Sequence, residues 1–249
     1  PYTTLFRSNF MESKIKNLIG LKNNPVAVIQ SDSLPEKVLQ FKPGKWGCVI
    51  AMLASTANGK IAAFSEETAT CIGGRAGLGF QKYPLGWIEY FLSCGSENIE
   101  RCEHYKKNPE VAREFIKNIS NALVEKIPAR KKYLLFKPLE LVEDDTPEII
   151  IFLANADQIS GLVTLANYDS EKNDSVKILF GAGCAQIFFY PATDKNFCYV
   201  GLTDPSARKF IDKNLLAFSI SYEKFLQLEN LAEESFLNYD AWQKILNRI

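Results

Sequence analysis

The stretch EIIIFLA, residues 148–154, sets six apolar residues in a row behind one glutamate. A strand with one face in water alternates apolar and polar residues, and this one does not, so it is expected to be buried on both faces. Such a strand needs a sheet covered above and below, and a chain of 249 residues is long enough to supply both layers.

Other segments supply the partners. PVAVIQ (25–30), IAAFS (61–65), YLLFKPL (133–139) and LAFSIS (216–221) read as strands, with Pro138 ending the third or pushing it to an edge. Helical spacing covers Met11 to Leu21, Cys48 to Thr56 and ADQISGLVTLANY (156–168), and an aromatic face runs through Trp87, Tyr90 and Phe91. The clearest helix is PEVAREFIKNISNALVEKI, opened by Pro109, with Val111, Phe115 and Ile119 on its apolar side. VKILFGAGCAQIFFYPATDKNFCYVGL gives strand, glycine turn, helix and strand; DPSAR opens a helix with Asp204 as its cap and Pro205 at its first position, and two more lie around Phe225 to Leu237 and Trp242 to Leu246. Helices and strands alternate without regular βαβ units, so the expected class is α+β, a mixed β-sheet with flanking helices. The acidic EDDTP (143–147) divides a single domain, 11–249, into lobes of about 11–142 and 147–249.

The 29 basic and 29 acidic residues cancel, which removes the electrostatic case for a nucleic acid or membrane-surface partner. No apolar run approaches the roughly 20 residues of a membrane span, and the expected location is cytoplasmic. There the six cysteines are expected to be free thiols. PYTTLFRS at the start back-translates to a common short-read sequencing adapter, so residues 1–10 are set aside as an artefact and leader, with the native chain starting near Met11.

Laying Gly47-Cys48 on Gly183-Cys184 keeps register from helix through turn to strand, and with one short gap puts Arg75 opposite Arg208. Two pseudo-repeated lobes, each with a cysteine at a helix start, stand beside a chance match of generic elements.

The segment TCIGGRAGLGF (70–80) is where chemistry concentrates. A helix start offers unpaired amides and partial positive charge, and Gly73, Gly74, Gly77 and Gly79 let a ligand approach the backbone. With Arg75 and Arg208 these form a candidate site for a small anionic ligand or cofactor. The glycine order matches neither the Rossmann fingerprint nor the P-loop. The structural alternative gives the glycines packing roles and Arg75 an acidic partner. Cys48, Cys71 and Cys184 each head a predicted helix, which is expected to lower their pKa values. Converging, they would hold an iron–sulfur cluster or zinc, although no C-x-x-C occurs. Cys71 is otherwise a candidate nucleophile, with Arg208 orienting an acidic substrate. Cys198 reads as a buried small hydrophobe, Cys94 and Cys102 as surface thiols, and His104 as a poor candidate for a catalytic base. A non-catalytic interaction protein with buried cysteines remains the third alternative.

Cys48 before an alanine-rich helix, C-I-G-G-R-A-G-L-G at 71–79, a glycine-flanked Cys184 and the downstream Arg208 together resemble the domain-of-unknown-function family number 169, found in many archaea and anaerobic bacteria. The resemblance runs from about Met11 to Leu237. It implies a single compact two-lobed domain, singles out Cys48, Cys71, Gly73, Gly74, Gly79, Cys184 and Arg208, and favours a reduced, oxygen-sensitive centre; it carries no activity with it.

Overall fold

The computed structural model describes residues 11–69, 71–126 and 131–249. The adapter-like start lies outside them. Seven strands form one mixed sheet: β1 (Val26–Ser31), β2 (Ala62–Phe64), β3 (Tyr133–Pro138), β4 (Ile149–Ala154), β5 (Val176–Lys177), β6 (Cys198–Gly201) and β7 (Leu216–Ser221). Their order is β2-β3-β1-β4-β7-β6-β5, antiparallel throughout except for β5 beside β6. β4 is the middle strand, and all six of its residues are buried. Ile150, Phe152 and Ala154 enter the core on one face, while Ile149, Ile151 and Leu153 enter the core on the other. Both faces are dry because helices cover both, as the unbroken apolar run demands. Pro138 ends β3, which lies between β2 and β1 and not at an edge.

Among the described residues ten α-helices flank the sheet: α1 (Lys14–Leu18), α2 (Val49–Ala57), α3 (Ile72–Gly77), α4 (Ile88–Leu92), α5 (Pro109–Lys126), α6 (Ala156–Ala166), α7 (Tyr190–Thr193), α8 (Pro205–Arg208), α9 (Tyr222–Ala232) and α10 (Asp240–Leu246). On the first face lie α1, α6, α9 and α10. Asn155 and Gln158 close a capping box at the start of α6, and the Gln158 side chain donates to the Gly20 carbonyl, tying α6 to the end of α1. Glu229 of α9 accepts from the Ser13 hydroxyl and from the Lys14 amide at 2.8 Å, so a carboxylate from one helix caps another. The second face carries α2, α3 and a π-helical turn, Ala185–Phe189, which runs into α7. Outside this layer, α4 and α5 form a third cluster with Ala76, Ala185 and Phe189. Buried Glu89 pairs with Arg113 at 3.1 Å and pins α4 to α5.

Two expectations shift. The apolar side of α5 is Ala112, Ile116 and Ile119, while Val111 is exposed. The expected strand through Phe180 stops at Lys177, leaving Ile178 67% exposed. The chain leaves the sheet there because side chains take its backbone acceptors: Gln186 Nε2 donates to the Leu179 carbonyl and Tyr190 to that of Phe180, both at 2.8 Å.

Outward from the β1–β4 pair the order is β1, β3, β2 on one side and β4, β7, β6, β5 on the other. In each half the first strand is innermost and the last lies next to it, with one strand beyond them in the first half and two in the second. Both halves share one sheet, and EDDTP leads from the Leu139–Leu141 turn into β4.

Candidate functional site

A cavity of about 380 Å³ opens on the second face, where both halves contribute. Four helix starts line it. Cys48 and Ile50 come from α2, Cys71 through Gly74 from α3, Gly181 through Cys184 from the π-helical turn, and Asp204 with Ser206 from α8. The remaining wall is largely aromatic, drawn from α4, α5 and three loops.

Close approach explains much of the glycine pattern. A Cβ on Gly77 would sit 2.5 Å from the Ala185 amide nitrogen, and one on Gly74 would sit 3.0 Å from Val49. Gly73 is looser, with Ala182 at 3.4 Å, and it lines the cavity together with Gly74. Gly79 follows α3 with φ +69°, a left-handed exit that glycine adopts without strain. Among the described residues that line the cavity, Gly77, Gly79, Arg75 and Arg208 are absent. Arg75 lies 3.9 Å from Glu66, and its Nε is buried with no hydrogen-bond partner among the described residues. Arg208 donates to the carbonyls of Leu215 and Lys213, closing the loop after α8. The structure therefore brings Cys48, Cys71, Cys184, Gly73 and Gly74 together and places both arginines elsewhere.

The thiols do not share one electrostatic fate. Burial pushes the Cys184 thiol well above the ordinary cysteine value, and the neighbouring Cys71, Cys48 and Asp204 push the same way. Cys48 is raised as well: loss of water outweighs the Ala51 and Ile50 amides that favour its thiolate. The expected lowering by a helix start is thus reversed at these two positions. Cys71 remains half-buried at the cavity wall. Among the described residues no group of three or more His, Cys, Asp or Glu side chains is arranged to hold a metal ion. Cys198 is fully buried in the opposite core, its pKa pushed up to about 12 by burial. His104 meets Cys102 at 3.3 Å, and neither residue lines the cavity.

Asp204 is the site residue that sequence reasoning treated only as a cap. Its Oδ1 accepts from the Ser206 amide at 3.0 Å and hydroxyl at 2.8 Å, while Oδ2 accepts from the Gly183 amide at 3.2 Å. One carboxylate thus starts α8 and holds the turn that presents Cys184. The signal was its place opposite Cys71 when the two halves are aligned on their arginines. Tyr83 was missed too. Buried at the cavity, its hydroxyl is raised far above the usual range by loss of water, with Tyr190, Cys184 and Asp204 adding to it. The π-helical turn is a further feature with no sequence signal. It leaves the Gln186 carbonyl to Ser219 of β7, whose hydroxyl donates at 2.9 Å.

Among the described residues no helix is long and apolar enough to cross a membrane. No curated protein and no solved structure matches the chain. The family model for DUF169, described as uncharacterised ArCR, matches residues 14–230, and the chain belongs to that family.

Proposed function

We propose that the protein binds a small organic anion in the cavity and presents Cys71 to it. The observation that carries this reading is the convergence of four helix starts on one cavity. Asp204 takes up amides at two of them and the Cys48 sulfur those of Ile50 and Ala51 at a third, so the acidic group falls to α3, whose start has no side-chain cap; its partial positive charge favours that group, and the apolar wall raises the worth of the contact by excluding water. Gly73 and Gly74 leave the α3 backbone approachable. Asp204 is held by three donors of its own chain, but its charge still disfavours thiolate at Cys48 and Cys184, so the acidic group is placed at α3 and not beside Asp204. A cytoplasmic setting suits the free thiols.

Alkylation by two reagents of nearly the same size tests this. Iodoacetate carries a carboxylate and iodoacetamide does not. The ratio of their rates at Cys71, read by peptide mass mapping, is expected to exceed the ratio at exposed Cys94 several-fold. An equal or lower ratio at Cys71 defeats the anion reading.

Iron–sulfur or zinc binding is the second reading, favoured by the three cysteines on one cavity. The donor set does not fit a metal as arranged, so this reading needs the sulfurs drawn together. Anaerobic purification with metal and sulfide analysis decides it, and colourless, metal-free protein ends it.

A further inference from the structure

We infer that the molecule held in this cavity is planar and conjugated, with its acidic group at the start of α3 and its ring system against aromatic side chains. The inference deepens the anion-binding reading and rests on it for the acidic group; the ring preference comes from separate observations.

The first is where the rings come from. Trp87 and Phe91 of α4 lie stacked, with centroids 4.8 Å apart and planes 15° from parallel. Trp46, before α2, meets Phe210, after α8, at 6.0 Å, which joins the two halves of the chain across the cavity lining. Phe180 meets Phe115 of α5 at 5.1 Å. The second observation is exposure. Trp46 is 65% and Phe180 40% exposed, although both line a cavity in which they could be covered. Large rings left wet around a concave site mark a surface that gains by being covered. The third is that lysines already cover other rings: Lys106 Nζ lies 4.2 Å from the Phe115 centroid and 4.3 Å from that of Phe180, and Lys209 Nζ lies 5.1 Å from that of Phe210. The Trp87 and Phe91 rings remain for a ligand. Flat rings gain from stacking on them, whereas a flexible chain of the same carbon count must give up rotamer freedom to lie there. A volume of about 380 Å³ lies within the usual range for small-molecule sites.

Three probes separate the parts of this proposal by calorimetric titration of the full chain. 2-Naphthoate is planar and anionic, decanoate is anionic and flexible, and 2-naphthalenemethanol is planar and uncharged. Naphthoate is expected to bind at least tenfold tighter than either of the others. Trp87→Leu, which keeps apolar volume but removes the ring, should weaken naphthoate about tenfold and leave decanoate within twofold. Phe91→Leu repeats the test on the same stack should the first variant fail to fold, and Ile178→Ser, outside the cavity, should change nothing. Decanoate binding as tightly as naphthoate overturns the planar inference and leaves the anion reading standing. The alcohol binding as tightly as naphthoate does the reverse. No saturable binding of any probe at millimolar concentration overturns both.

Discussion

The two halves of the sheet each place their first strand beside their last, and they finish the helix starts at the cavity differently. In the first, α3 begins at Cys71, whose side chain makes no capping hydrogen bond, and four residues later Arg75 keeps a buried Nε without a partner among the described residues. In the second, α8 begins at Asp204, which caps its helix and holds Gly183, and four residues later Arg208 is tied to backbone carbonyls. Position for position, one half is bonded shut and the other is left open beside the cavity. The second half therefore reads as the support and the first as the working edge, since unmet polar groups cost free energy and persist where something else uses them.

The largest test of this division lies where the halves touch. Gly77→Ala would drive a methyl group into the Ala185 amide and the Cys184 backbone, which cannot yield as a side-chain tip can. We expect a loss of about 3 kcal/mol in chemical denaturation. Gly73→Ala meets Ala182 at 3.4 Å and the Cys71 sulfur at 3.9 Å, both ordinary contact distances, and should cost less than about 1 kcal/mol while narrowing the cavity. Equal costs would mean that the two halves do not meet as tightly as the geometry requires. Next comes the pair of helix starts. Asp204→Ala removes a cap and a buried charge-assisted hydrogen bond and should cost about 2 kcal/mol; Cys71→Ala removes no hydrogen bond and should cost below about 1 kcal/mol. A larger loss at Cys71 would break the division into support and working edge.

What the sequence shows of this arrangement follows from how local each cause is. The apolar run at 149–154 announces a doubly covered central strand because burial on both faces leaves no alternation. DPSAR announces its cap because capping is settled within three residues. The cavity also gathers the three cysteines that the helix-start pattern picks out, Cys48, Cys71 and Cys184. The arginines were less legible: the backbone carbonyls that engage Arg208 are set by the path of residues 212–215. Thiol acidity misleads for a similar reason. Position at a helix start is visible in sequence, but the depth of burial that overrides it at Cys184 comes from α3 packing against the π-helical turn.

The smallest effect separates Cys48 from Cys184, one from each half of the chain and both on the cavity wall. Both thiols are raised by burial above the ordinary 9.0, Cys184 further because it is fully enclosed. In the alkaline window that opens at that value, the unfolded chain has released these protons and the folded chain still holds them, so the native state binds more protons. Stability must then fall as pH rises. Other buried groups, including Cys198 and Tyr199, act in the same direction, so the total slope identifies no single thiol. The difference from a variant does. Melting curves taken from neutral pH to pH about 10 should show a shallower decline for Cys184→Ala than for the unaltered chain, with Cys48→Ala between them, because its partly exposed thiol keeps some hydration. If Cys48→Ala flattened the curve more than Cys184→Ala, the first half would be the more enclosed of the two, and the assignment of support and working edge would have to be exchanged.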